Sequence, residues 1–473
     1  MTTPNQEIIK PIGIKLAFVV LLLLLSGSLA FYELRMLFVD PAWVTFNIIN
    51  TGNFVIAEHR YAAVFTQIFP LVGLKLGLSL HTILLMYSAS FYLLFCSVAW
   101  ICWQKYGQGQ WVVLLAMYFT LGVSDCYFWP NNEVHQGICW MALYMAFTNF
   151  HVERNSMNGG RHVIAIVIGF LALFSHLLVA LPFAYFFLYQ FRGHYKRQNN
   201  SSAVYVQMVA LSAIMLSRLY LSTQGWYDSQ KLVGVSNLSM EKIMGVFKSG
   251  GFQSITTLFT NNYISLSIFS LVGIIYLLYK RAFYFAASTL FFGWMTLSLI
   301  LITYPDSFDR SLRFYMESEW MPLTLILAAP FVYQILPKLN TRWTFILLVL
   351  VFASRLPYFV DAHYFFKERY DNLELLVQRA GPPNQLLPMT YAASTQFFIM
   401  PWGLPVETMM LSKMKGQKPQ RTVKIVEPGF LDTIDTKRFY YTGFKADKKS
   451  GLNAQYFELS DRRYEEVGLE DLE

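Results

Sequence analysis

The chain has 473 residues, of which 55% are hydrophobic, 17% aromatic and only 14% charged. A soluble domain carries about 25% charged residues, and one soluble core cannot hide this much apolar surface, whereas a bilayer can. The net charge of +8 does not point to nucleic acid, because the Lys and Arg residues sit in short loops between apolar runs, where they set membrane topology.

Apolar runs long enough to span recur from Lys15 to Tyr358. Lys10 and Lys15 precede the first run, so the N-terminus is expected on the cytoplasmic side. That run resembles a secretory signal peptide, with a small-x-small pair at Ser28 and Ala30; an uncleaved anchor helix over 15–35 is the expectation. A long outer loop, about 37–78, follows with stretches expected to lie in the membrane interface. Helices are then expected over 79–103, 110–124 and 136–151, the last two joined by the outer loop DCYFWPNNEVHQ. The run 163–191 is too long for one span, and both its flanks are basic: Arg161 before it, Arg192, Lys196 and Arg197 after it. Two short helices meeting at Phe174-Ser175-His176 keep both flanks on one side. The pattern continues with 203–221, a large outer segment 222–262 that contains Trp226, Tyr227 and Asp228, and helices at 263–279, 283–303, 320–336 and 343–360.

The expected fold class is thus an α-helical polytopic membrane protein of about 11 transmembrane helices. It divides into a membrane domain, 1–360, and a small C-terminal α/β extracytoplasmic domain, 361–473. The latter opens with an amphipathic helical stretch, Ala362 to Arg379, and continues with short alternating runs such as TVKIV and KRFYYTGF. Cys96, Cys102, Cys126 and Cys139 form no CxxC pair, which argues against a structural zinc site; Cys126 and Cys139 could pair on the outer side, but free thiols are the expectation.

Ionisable residues at membrane depth are costly and tend to be functional. On this topology they gather on the outer side. Asp40 in FVDPAW reads either as a carboxylate base at the membrane surface or as an Asp-Pro turn that starts a helix. Glu58, His59 and Arg60 open the stretch EHRYAAVF: Arg60 suits a phosphate, and Glu58 or His59 suits proton transfer. The plainer reading is a charged helix start. Glu133 and His135 lie in PNNEVHQG, where Asn131 or Asn132 offers an N-cap. His176 sits at the expected tip of the 163–191 hairpin. In DRSLRFYMESEW, Arg310 and Arg313 share a helix face and suit a pyrophosphate, with Tyr315 and Glu317 beside them; alternatively they ion-pair with Asp306, Asp309 and Glu319. The histidines and carboxylates offer donors for a divalent metal, but no HExxH or HxH spacing supports one, so neither a metal nor another cofactor is assigned.

This arrangement resembles the GT-C superfamily of integral membrane glycosyltransferases that use polyprenyl-phosphate sugars. The carrying features are the first helix, the long outer loop with Asp40 at its start, many further spans and an outer C-terminal segment. NNEVHQG, FSHLL and DRSLRFYMESEW are similar to loops of uncharacterised bacterial members. The resemblance implies a polyprenyl-phosphate-linked sugar donor and a glycan, lipid or protein acceptor. It further implies inverting transfer at the periplasmic face of an inner (cytoplasmic) membrane, with Asp40 as the acidic catalytic residue assisted by Glu58. His59, Arg60, Glu133, His135, His176, Arg310, Arg313, Tyr315 and Glu317 would bind substrates. In this sequence Asp40 stands alone until Glu58, and no WWDxG-type motif occurs. Two further readings use the same features: a non-catalytic subunit that docks a protein partner through 361–473, and a lipid or solute transporter. The latter calls for mid-membrane charge, which is scarce here: Arg218 and Arg355 fall near expected outer helix ends, and His81 starts the 79–103 helix.

Overall fold

Uninterrupted runs of Leu, Ile, Val and Phe leave no turn residues to interrupt backbone pairing, and a chain in lipid must satisfy that pairing within each segment, so these runs become helices. In the computed structural model the residues described are 9–130, 133–196, 201–225, 227–231, 239–381, 384–427, 438–440, 446–460, 462 and 464–466. Helices α1 (Pro11–Ala30), α2 (Tyr32–Met36), α3 (Val39–Thr51), α4 (Val64–Lys75), α5 (Leu80–Trp100), α6 (Gly109–Leu121) and α7 (Glu133–Glu153) come first. Next are α8 (Gly159–Ser175), α9 (Ala180–Lys196), α10 (Ser201–Gln224), α11 (Gly250–Asn261), α12 (Ile264–Tyr279) and α13 (Phe283–Thr303). They are followed by α14 (Arg310–Pro330), α15 (Thr341–Ala353), α16 (Leu356–Arg379), α17 (Tyr391–Phe398) and α18 (Leu404–Met414). Several starts carry side-chain caps: Ser79 for α5, Asn158 for α8, Asp309 for α14 and Asn340 for α15.

Among the described residues, six helices are long and apolar enough to cross a bilayer: Pro11–Ala30, Leu80–Lys105, Ser202–Gln224, Phe283–Thr303, Arg310–Lys338 and Thr341–Arg379. A seventh arises if α11 and α12, bent by 87° at their junction, form one span. This is the make-up of a helical membrane protein with a little sheet. The expected count of 11 is higher because it includes α6, α8 and α9, which are shorter apolar helices, and α7, which carries Glu133, His135, Gln136, Asn149 and His151.

Side-chain contacts fix the direction of each helix. Gly13 of α1 lies against Thr344 of α15, and Gly109 of α6 against Ile14, so these three helices start at one end. At the far end of α1, the Tyr127 hydroxyl donates to Leu24 O at 2.9 Å. The stretch 163–191 is two helices broken at His176, whose Nδ1 accepts the Leu178 N–H at 3.2 Å. α8 rises along α7, and α9 returns along it: Phe183 packs on Tyr144 at 5.0 Å, and Gln190 Nε2 donates to Met145 O at 3.3 Å. α10 then follows α8, with Gln207 2.9 Å from His162 and Arg218 over the Phe174 ring at 6.0 Å. A Cβ on Gly137 would lie 2.7 Å from Val179 and 2.8 Å from Ser175, so the bare glycine lets the hairpin tip sit against α7. With Arg192 over the Tyr284 ring and Lys338 bonded to the Tyr276 hydroxyl at 2.7 Å, these directions gather Lys105, Arg154, Arg161, Arg192, Lys280, Arg281, Lys338 and Arg342 at one end of the bundle. Asp40, Arg60, Glu133 and His176 lie at the other.

The first loop divides into two unlike helices. α4 exposes Phe65, Ile68 and Val72, and Leu76 just past its end, as an interfacial helix does. α3 differs from the interfacial expectation: it is mostly buried and the C-terminal segment covers it. Phe46 packs on Phe439 and Phe457 at 5.7 and 5.8 Å, and Asn453 bonds Asn50 and Ile49 at 2.9 Å. α16 runs unbroken through the expected boundary at 360/361, because 356–379 presents one continuous helical face with no breaker after Pro357. Beyond it, β1 (Gln385–Pro388) pairs in parallel with β2 (Val423–Val426) and β5 (Glu465–Glu466), while β3 (Arg438–Phe439) pairs antiparallel with β4 (Asp447–Lys448). β2 falls within the TVKIV run; most of KRFYYTGF lies outside the described residues.

Candidate functional site

The end that holds Asp40 is built from four elements: the start of α3, the loop before α4, the start of α7, and the segment after α10. Asp40 lies in the first turn of α3, where the helix dipole favours an anion. It is partly buried, and its Oδ2 accepts the Trp129 indole N–H at 3.0 Å. Burial and the nearby Glu133 carboxylate push the Asp40 carboxyl up from 3.8 to about 6, against the opposing pull of Trp129, Arg60 and Lys231.

Arg60 is the hub of the site. Its Nη1 donates to Glu133 Oε2 at 2.9 Å and its Nη2 to Asp228 Oδ1 at 3.0 Å. The second Asp228 oxygen accepts from Arg218 Nη2 at 2.7 Å. This chain of alternating charge ties the first loop to α7 and α10, and it occupies the guanidinium that the sequence suggests for a phosphate. Glu58 accepts the Tyr227 N–H at 3.1 Å. Glu58 and His59 both sit in the left-handed region, at φ of 48° and 59°. Non-glycine residues avoid that region, and strain of this kind collects at binding sites. His59 Nδ1 lies 3.4 Å from the Tyr61 hydroxyl, and Tyr61 stacks on Phe170 and Phe174 of α8. His176 lies within electrostatic reach of Arg60, Lys231 and Arg218.

Next to Asp40, across Trp129, opens a cavity of about 290 Å³ lined by Tyr227, Gln230, Lys231, Thr303, Tyr304 and Tyr315. Trp129 packs on Tyr315 at 5.6 Å, and the Tyr315 hydroxyl meets those of Tyr227 and Tyr304 at 3.0 and 2.8 Å. Lys231 lies over the Tyr227, Tyr315 and Tyr304 rings at 4.5, 5.4 and 5.8 Å, and 3.5 Å from Glu319. Burial alone would lower its ammonium, but Glu319 and the tyrosines hold it above the ordinary lysine range. The result is a cation in an aromatic cage, ion-paired with Glu319 at 3.5 Å.

Four of the residues singled out from sequence lie elsewhere in the scaffold. Arg313 is bonded bidentately to Asp125, at 2.6 and 2.7 Å. Arg310 bonds Asp361 at 2.7 Å and lies over Phe365. The two arginines therefore face carboxylates of the protein and not an open phosphate site, and their partners are neither Asp306 nor Asp309. Glu317 is fully buried; it accepts from Ser124 N at 3.0 Å, Cys126 N at 2.6 Å and the Tyr263 hydroxyl, and so holds the 124–126 turn. His135 lies between the Tyr118 hydroxyl, 3.0 Å from Nδ1, and Cys126 Sγ, 3.4 Å from Nε2. Asn131, Asn132 and Trp226 lie outside the described residues. All four cysteines are buried free thiols.

Trp129, Arg218, Tyr227, Asp228, Lys231 and Tyr304 are site residues to which the sequence assigned no role; Tyr227 and Asp228 stood out there only as members of the segment 222–262. Lys231 did carry a signal, since it falls in the segment 222–262 expected from the sequence on the outer side, where the positive-inside rule disfavours lysine. Among the described residues no three His, Cys, Asp or Glu side chains gather in a metal-ligating group. Comparison with protein-family models and with curated proteins gives no match for this chain.

Proposed function

We propose that the protein transfers a sugar from a polyprenyl-phosphate-linked donor to an acceptor hydroxyl at the Asp40 end of its bundle, in the manner of GT-C glycosyltransferases. The observation that carries this reading is the juxtaposition of Asp40, a carboxylate tuned to about 6, with the Lys231 cage and its 290 Å³ cavity. On this reading all eleven alternating helices cross an inner (cytoplasmic) membrane. The basic turns face the cytoplasm, and the site and the C-terminal segment face outward. The donor enters sideways from the bilayer, its phosphate against Lys231 and its sugar against the tyrosines. The acceptor hydroxyl oxygen attacks the anomeric carbon, and its proton passes to Asp40. The bond from that carbon to the phosphate oxygen breaks, and polyprenyl phosphate leaves with the electron pair. Transfer inverts the anomeric centre because attack and departure lie on opposite faces. A base with a pKa just below neutrality is largely ionised at pH 7 yet still basic enough to take the proton. Arg60, already held by two carboxylates, orders the site and lowers the Asp40 carboxyl.

The test is binding of a short-chain polyprenyl phosphate to the purified protein, read by tryptophan quenching or calorimetry in detergent. Lys231→Met abolishes binding and Arg313→Lys preserves it on this account. Equal binding by wild type and Lys231→Met would remove the phosphate from the cavity. No binding at all would favour the non-catalytic subunit.

A further inference from the structure

Asp40 follows a strained residue. Val39 has φ of +31°, a conformation that a β-branched side chain adopts only when its surroundings force it. Glu407 of α18 supplies one constraint: its Oε1 accepts the Val39 N–H at 2.6 Å. Arg369 of α16 supplies the other. It pairs with Glu407 Oε2, donates to Leu37 O at 3.0 Å and to Phe398 O at 2.9 Å, and lies over the Phe38 ring at 4.6 Å. Both charged groups are buried, Arg369 at 3% exposure and Glu407 at 0%. The approach is close enough to need a glycine: a Cβ on Gly403 would lie 3.0 Å from Val39 Cα and 2.7 Å from Glu407 Oε1. A buried ion pair is an expensive way to hold two elements together, and a hydrophobic pair often does so as well. Here one further atom of each partner is spent on the backbone of residues 37 and 39, immediately before Asp40, and Arg369 Nε on Phe398 O.

We propose that Glu407 and Arg369 are positioning residues, a clamp by which the C-terminal segment holds the 37–39 backbone so that Asp40 stays against Trp129, on whose far side the cavity opens. The inference rests on the reading of Asp40 as the base. Neither residue lines the cavity; they act through Val39. Released from the clamp, Val39 returns to negative φ, the first turn of α3 rotates, and Asp40 leaves its place beside Trp129. The charged groups facing Asp40 there are Glu133, Arg60 and Lys231, and none belongs to the clamp, so a change in Asp40 titration on altering the clamp reports displacement and not a lost neighbour.

The experiment uses the full chain in nanodiscs. Carbodiimide-driven amidation of Asp40 is followed by mass spectrometry against pH, with exposed Asp361 as the internal control. In wild type the Asp40 midpoint lies near 6. In Glu407→Ala it falls toward the ordinary aspartate value of about 4, by roughly one unit or more, while Asp361 stays where it was. Glu407→Gln, whose amide oxygen still accepts the Val39 N–H, keeps the midpoint near that of wild type. Gly403→Ala crowds Val39 with the ion pair still present, produces the same fall, and carries the test if Glu407→Ala does not yield folded protein. An unchanged midpoint in folded Glu407→Ala or Gly403→Ala overturns the clamp. The labelling does not depend on turnover: a shifted midpoint in a protein that transfers no sugar leaves the clamp standing and removes the catalytic reading alone. Where transfer is measured, release of the clamp lowers kcat about tenfold or more with KM little changed, as misplacement of a reacting group does.

Discussion

Replacing Arg313 with leucine should destabilise the protein without touching donor binding. Asp125 is fully buried, and both its carboxylate oxygens accept from the Arg313 fork, at 2.6 and 2.7 Å. Hydrogen bonds to charged groups contribute about 1.5–3 kcal/mol each, but the larger effect is the carboxylate left alone in the interior. Breaking a buried pair from one side costs about 3–5 kcal/mol, or roughly two to three and a half powers of ten in the folded-to-unfolded ratio. Removing both charges is far milder, because the desolvation cost disappears with them. The assay is an SDS titration of the purified protein in mixed micelles, followed by circular dichroism, for wild type, Arg313→Leu, Asp125→Leu and the double variant. The expected order is wild type most stable, the double variant next, and the single variants well below. If Arg313→Leu is as stable as wild type but fails to bind polyprenyl phosphate, Arg313 belongs to the ligand site and its assignment to the scaffold is refuted.

Three further outcomes follow from the site. Asp40 has a folded-state pKa of about 6 against 3.8 for the free residue, so the native state holds the extra proton between those values; its contribution to stability is full below pH 4 and lost as pH rises through 6. Asp40→Asn should therefore be more stable than wild type at pH 7 to 8, by about 1–3 kcal/mol, and no more stable at pH 4, which parallel unfolding titrations at the two pH values will read. The same ionisation makes kcat/KM for transfer rise with pH through about 6, a limb that a pH–rate profile will display. Because Arg60 lowers the Asp40 carboxyl, Arg60→Gln should move that limb upward, and it should also reduce stability by leaving Glu133 and Asp228 with one partner fewer.

The course of the helices was legible because lipid leaves so little freedom: apolar runs become helices and basic turns collect at one end. The split of 163–191 at His176 followed from its two basic flanks alone, and the contacts of Phe183, Gln190 and Gln207 place those helices in opposed directions. Whether each helix crosses the bilayer was less legible, since α6, α8 and α9 are short and α7 is polar at both ends. Of the site, Asp40, Arg60 and Glu133 could be read because charge at the membrane surface is conspicuous. Their pairing could not be, because Arg60 meets Asp228 168 residues away, a contact with no local signature. For the same reason Arg313 and Arg310 read as a phosphate fork: i,i+3 spacing puts both on one helix face but does not reveal Asp125 and Asp361 waiting opposite. The hold of Glu407 on Val39, across 368 residues, was equally invisible.

The most direct measurement is sugar transfer by the purified protein in nanodiscs, offered polyprenyl-phosphate sugars and a panel of hydroxyl acceptors, with product stereochemistry and donor consumption followed by mass spectrometry and NMR. The account predicts transfer with inversion at the anomeric carbon, release of polyprenyl phosphate, and loss of turnover in Asp40→Asn despite that variant's greater stability at neutral pH. Transfer that persists undiminished in Asp40→Asn, or a folded wild-type protein that binds polyprenyl phosphate yet consumes no donor, would contradict it.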